Sequence, residues 1–148
     1  SIRSGFAHRD WRRRGCSNNA GWGPWMRALI VDDSSFIRDY LRQILHRMGV
    51  TCEEAVDGSN ALAVLAAAQD FDLMLLDVNM PVMDGLTCVK ALREARLGSG
   101  MKVMMVTTEA DHSFIAAALD NGADEFLMKP FTPESLREKM ALLGFATA

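Results

Sequence analysis

Cysteine is scarce in this chain, and its three copies (Cys16, Cys52 and Cys88) are scattered. No Cys-x-x-Cys or Cys/His cluster accompanies them, which excludes a disulfide framework and a zinc site. Isolated, partly buried thiols in a reducing, cytoplasmic setting are expected instead. No apolar run approaches the ~20 residues of a membrane helix, so no membrane insertion is expected. No Gly-x-Gly-x-x-Gly follows the first strand-like segment, and no Gly-x-x-x-x-Gly-Lys-Ser/Thr occurs. Dinucleotide-binding and P-loop nucleotidase sites are thereby removed. Aromatic residues make up 7% of the 148 residues, and all three tryptophans (Trp11, Trp22, Trp25) fall before position 26.

Charge divides the chain at the same point. Residues 1–25 hold five arginines and one acid, Asp10, whereas the remainder holds 11 basic and 18 acidic side chains. An acidic body argues against a nucleic-acid partner. The first 25 residues show neither a helical nor a strand period and read as a non-native or disordered tail. A basic, aromatic arm that touches nucleic acid or a membrane surface is the functional alternative. A twin-arginine export signal is excluded, because Arg14 to Gly23 contains no apolar core.

From Met26 onward strands and helices alternate. Arg27–Val31 reads as a buried strand, and Phe36 to Met48 as a helix apolar at Phe36, Ile37, Tyr40, Leu41, Ile44, Leu45 and Met48, closed by Gly49. Thr51–Ala55 is a strand, followed by a helix capped by Ser59 and running through Ala68. Leu73–Leu76 is a strand, Leu86 to Leu97 a helix ended by Gly98, and Lys102–Val106 a strand. His112 to Asn121 is a helix ended by Gly122, Glu125–Met128 a strand, and Pro133 to Leu143 a helix capped by Thr132. Five such units predict an α/β fold: a doubly wound, flavodoxin-like (βα)5 domain over 26–148, its five-stranded parallel sheet ordered 2-1-3-4-5.

The residues that end the strands then converge on one sheet edge, where ligands of open α/β sheets bind. They are Asp32-Asp33, Asp77, Thr107-Thr108 and Lys129-Pro130. Three clustered carboxylates repel one another unless a cation neutralises them. A site of hard oxygen ligands favours Mg²⁺ over zinc. A neighbouring lysine offers a point charge to phosphate oxygens, and an aspartate can itself be the nucleophile of phosphoryl transfer. Singly, each residue has a plainer reading: Asp32-Asp33 and Asp77 as caps, Thr107 as a strand residue, Lys129 as a solvated charge.

Four segments carry a family resemblance: Leu29-Ile30-Val31-Asp32-Asp33-Ser34, Leu76 to Gly85, Val106-Thr107-Thr108-Glu109-Ala110 and Lys129-Pro130-Phe131-Thr132. With these the chain resembles the receiver domain of two-component response regulators, most closely the stand-alone chemotaxis members. The resemblance implies that Asp77 accepts a phosphoryl group from a sensor histidine kinase or histidine phosphotransfer protein. It implies Mg²⁺ held by Asp33, Asp77 and the backbone carbonyl of Asn79, with Asp32 helping through water. Lys129 would pair with a phosphoryl oxygen, and Thr107 and Phe126 would form the switch. Asn79 and Glu109 would tune water access, giving a short-lived phosphoryl state. Lys129-Pro130 is a candidate cis bond. Phe126 stands where chemotaxis members usually have tyrosine, so the ring offers no hydroxyl to a partner.

The implied output is a downstream protein partner, the flagellar motor switch being one, on a surface that includes Ile115, Ala116, Ala118, Phe126 and Lys139. The implied protein is a phosphoacceptor switch with only self-catalysed phosphorylation and dephosphorylation. A phosphorelay shuttle and a receiver excised from a larger regulator are the alternatives. A haloacid-dehalogenase-type phosphatase fits less well, because its second aspartate is here Asn79 and no cap insertion is present.

Overall fold

A computed structural model describes residues 26–145, apart from 69, 79–83, 99 and 109–111. The tail 1–25 and the positions Asn79 and Glu109 therefore lie outside the described residues. Five strands alternate with five helices: β1 Arg27–Val31, α1 Ser35–Arg47, β2 Thr51–Ala55, α2 Gly58–Ala67 and β3 Leu73–Asp77. There follow α3 Gly85–Glu94, β4 Lys102–Thr107, α4 His112–Asp120, β5 Glu125–Met128 and α5 Pro133–Leu142. All strand pairings are parallel and the order is β2-β1-β3-β4-β5, as expected.

The three central strands are apolar on both faces, and successive residues feed opposite cores. Ile30, Leu75, Met104 and Val106 meet Leu41, Ile44 and Leu45 of α1 and Leu136 and Met140 of α5. Leu29, Val31, Met74, Leu76 and Met105 meet Ala61 and Leu65 of α2, Val89 and Leu92 of α3, and Ala118 of α4. Cys88 is buried and Cys52 half-buried, and burial pushes both thiols up to about 11.

Helix ends depart from the sequence reading where two cap residues compete. The N-cap of α2 is Asp57, whose Oδ1 accepts the Asn60 N–H at 2.7 Å, so Ser59 lies inside the first turn. Helix α3 stops at Glu94, three residues before the expected end at Leu97. Arg96 adopts a left-handed φ of 58°, and the Leu97 N–H turns back to the Leu92 carbonyl at 2.9 Å. Helix α5 has the expected Thr132 cap, made reciprocal by Ser135. On α1, the apolar period places Phe36 and Tyr40 on the core face, but Phe36 is 76% exposed and Tyr40 is also exposed. Within α1 only Leu41, Ile44 and Leu45 are buried.

Gly85 is fixed by a close approach between α3 and the end of β3. A Cβ there would lie 2.7 Å from the Asp77 carbonyl oxygen and 2.8 Å from Val78 Cα, both backbone atoms that cannot swing aside. Alanine gains up to about 1 kcal/mol in helix propensity over glycine. The overlap outweighs that gain: Gly85→Ala is expected to lower unfolding free energy by about 1–3 kcal/mol in urea titrations. An unchanged midpoint would show that this approach is not a constraint.

Candidate functional site

The sheet order makes β1, β3, β4 and β5 neighbours, so their carboxyl ends deliver Asp32, Asp77, Thr107 and Lys129 to one place. Asp32 is 2% and Asp77 4% exposed, Thr107 is buried, and Asp33 is exposed on the loop after β1. Lys129 Nζ lies 3.0 Å from Asp77 Oδ1 and 3.6 Å from Asp32 Oδ2. One carboxylate oxygen from each of Asp32, Asp33 and Asp77 lies within 4.8 Å of the others. The Lys129 N–H donates to the Thr107 carbonyl at 2.8 Å, which ties the ends of β4 and β5 together. The Lys129-Pro130 bond that follows is cis, as the sequence suggested.

Asp32 is held on every side. Its N–H donates to the Ala55 carbonyl at 3.2 Å, and its Oδ1 accepts the Ser34 N–H at 2.8 Å. Its Oδ2 is buried and accepts no hydrogen bond. Burial pushes the Asp32 carboxyl above the usual range, and the negative charges of Asp77 and Asp33 push the same way. Burial alone would lower the Lys129 ammonium, but its contacts with Asp77 and Asp32 more than offset this and hold it above its ordinary value. Three carboxylates against one ammonium leave a negative excess. Asp32 Oδ2, which has the Lys129 ammonium at 3.6 Å but accepts no hydrogen bond, and the all-oxygen donor set suit a hard divalent cation such as Mg²⁺.

A family model, the response regulator receiver domain, matches residues 28–141. The chain belongs to that family. Among curated relatives of this receiver domain, a chemotaxis protein CheY homolog of Campylobacter jejuni is 38% identical over 116 residues. That match covers 78% of this chain and 89% of the relative. The solved structure of Vibrio cholerae chemotaxis protein CheY4 superposes with a TM-score of 0.74 at 38% identity. It covers 79% of this chain and 97% of that one. A CheX–CheY–BeF3–Mg complex from Borrelia burgdorferi superposes at 0.76 with 28% identity, covering 80% and 89% of the two chains. Receivers of this family are phosphoacceptor switches rather than enzymes that turn over a substrate.

The other residues singled out in the sequence are spread around this centre. Phe126 is half-buried on β5, with Lys139 Nζ 4.5 Å above its ring and 3.4 Å from Glu125 Oε1. Ala116 is exposed and Ile115 half-buried on α4. Ala118 does not reach the surface: at 3% exposure it packs on the sheet, because it lies on the inner face of α4. Beside Lys129, a cleft of about 370 Å³ is rimmed by Phe36, Tyr40, Pro130 and Phe131. Tyr40 and Phe131 stack there with centroids 5.6 Å apart.

A second layer was not singled out in the sequence. Arg38 donates from Nη1 to the Asp32 carbonyl at 2.7 Å and from Nε to Glu54 Oε1 at 2.8 Å, while Arg42 Nε reaches Glu54 Oε2 at 2.6 Å. The available signal was the i,i+4 arginine pair on α1, one turn past the Ser34 cap. Glu54 itself is held below the usual carboxylate range: burial opposes this, but the bonds from Arg38 and Arg42 prevail.

The Asp32 carboxyl, raised by burial, makes stability depend on pH. A carboxyl raised on folding favours the folded state most when protonated, so its contribution is present below the unfolded value and lost as pH rises through the folded one. Asp32→Asn is therefore expected to raise the urea midpoint at pH 7 without divalent cations. The gain should be worth about 1–4 kcal/mol, the span for one unit-charge contact near 4 Å. It should shrink as the pH is lowered toward 3. A destabilised Asp32→Asn at pH 7 would contradict the repulsion.

Proposed function

We propose that this receiver takes a phosphoryl group onto Asp77 from a phosphohistidine protein, and that the modified state rearranges the α4–β5–α5 surface to bind a protein partner. The observation that carries the reading is the juxtaposition of Lys129 Nζ with Asp77 Oδ1 at 3.0 Å, beside the Asp32 and Asp33 carboxylates. Asp32, Asp33 and Asp77 would hold Mg²⁺, together with the backbone carbonyl of Asn79, which lies outside the described residues. When bound, the cation supplies positive charge to the transferring phosphoryl oxygens.

The chemistry of the side chains follows. An Asp77 carboxylate oxygen attacks phosphorus as the bond to the histidine nitrogen breaks, and the imidazole leaves with the electron pair. Lys129 neutralises charge that builds on the phosphoryl oxygens, without proton transfer. Water later attacks phosphorus, the bond to Asp77 breaks, and the carboxylate and inorganic phosphate are released. Asn79 and Glu109 set how readily that water approaches. Phosphoryl oxygens beside β4 draw in the Thr107 hydroxyl, and Phe126 follows inward, which biases two conformations rather than building a new one. Ile115, Ala116, Phe126 and Lys139 then present the changed surface. Ala118 is not part of it.

The likeness to chemotaxis proteins supports a cytoplasmic role in motility signalling, with the flagellar motor switch as the downstream target.

Incubation with acetyl phosphate and Mg²⁺, read by intact mass, should add one phosphoryl group to the wild type and none to Asp77→Asn. The adduct should decay over seconds to minutes at neutral pH. An adduct that survives in Asp77→Asn defeats the assignment, and one that lasts many hours defeats the proposed roles of Asn79 and Glu109. Generic phosphomonoesters should not be hydrolysed, and steady turnover of one would point to a phosphatase.

A further inference from the structure

We infer that Arg38 is a positioning residue for the cation site, acting through the peptide that joins Asp32 to Asp33. The inference rests on the proposed cation-binding role of that site. Strand β2 ends at Ala55, and beyond it the parallel ladder offers β1 no further amide in the same manner. The Asp32 carbonyl is instead taken by Arg38 Nη1 at 2.7 Å.

The same guanidinium is locked from its other side. Its Nε is bound to Glu54 Oε1 at 2.8 Å, and the second oxygen of Glu54 is held by Arg42. The Arg38 side chain is only 15% exposed. A planar fork serving two acceptors has one orientation, which a lysine ammonium would not impose.

Asp33 is the member of the cluster that needs this support. Asp32 and Asp77 are gripped through their own carboxylates by Ser34 and Lys129. The Asp33 carboxylate makes no hydrogen bond among the described residues and stands exposed, yet an oxygen of it lies within 4.8 Å of the other two. Its direction is set by the backbone, and the 32–33 peptide plane is fixed at its oxygen by Arg38. Outer partners of metal ligands commonly govern affinity in this way.

Charge and geometry predict opposite signs, which makes the inference testable. A cation near three carboxylates repels a divalent ion, so its removal by electrostatics alone would tighten binding. Calorimetric titration of the full chain with Mg²⁺ is expected to show about tenfold weaker binding in Arg38→Met and a clear loss in charge-conserving Arg38→Lys. Arg42→Met, which keeps the Asp32 carbonyl bond and removes only the outer brace on Glu54, should lose less affinity than Arg38→Met. Phosphorylation of Arg38→Lys by acetyl phosphate should return to the wild-type rate at saturating Mg²⁺.

Equal or tighter Mg²⁺ binding by Arg38→Met overturns the inference. So does Arg38→Lys with wild-type affinity, whatever its thermal stability. If Arg38→Met fails to fold, Arg38→Lys decides the matter. A wild type that binds no Mg²⁺ would overturn the cation reading of the site and this inference with it, whereas normal wild-type binding with unaffected variants overturns this inference alone.

Discussion

The contact between Lys129 and Asp77 closes a cluster of charges that repel, and the rest of the domain holds it in place. Asp32, Asp33 and Asp77 bring three negative groups within 4.8 Å of one another against one ammonium. Such a cluster opposes folding, and the two apolar layers on either side of the sheet supply the compensating burial. The arrangement places charge where an incoming group can use it without reorganising the protein. The Lys129 backbone is bonded to the Thr107 carbonyl, so the proposed signal from Asp77 would have one short path to β4 and β5.

That path leads to the surface proposed to change. Phe126 lies between the apolar face of α4 and the Lys139 ammonium, and Lys139 is also drawn to Glu125. An inward rotation of the ring would break a cation–π contact of about 0.5–2 kcal/mol. Under the proposed switch, the loss of that contact is of a size that one hydrogen bond at Thr107 would offset.

Much of this architecture was legible because both signals are local. The unbroken apolar run Ala28-Leu29-Ile30-Val31 and its counterparts in β3 and β4 mark strands covered on both faces. Each strand is followed at once by the side chain it delivers. What escaped depends on geometry between elements. Asp57 and Ser59 are both good cap residues, and only the direction from which the chain leaves β2 selects Asp57. Phe36 and Tyr40 share a helical stripe with Leu41 and Ile44, but they line the cleft beside Lys129 instead of the core. Ala118 looks like a surface alanine in the sequence, but it packs into the core on the inner face of α4. Arg38 is one of several arginines in the sequence, and its partner oxygens come from the end of β1 and from β2.

Strand β2 is an edge of the sheet, and its acidic residues have a second effect. Glu53 is paired with Arg27, and Glu54 with Arg38 and Arg42, so the open side of the sheet is lined with fixed charges of both signs. An unpaired strand edge is a template on which another chain can add a strand, and charges held at that edge disfavour the addition. The clamp around Glu54 thus also guards this edge against sheet-to-sheet aggregation.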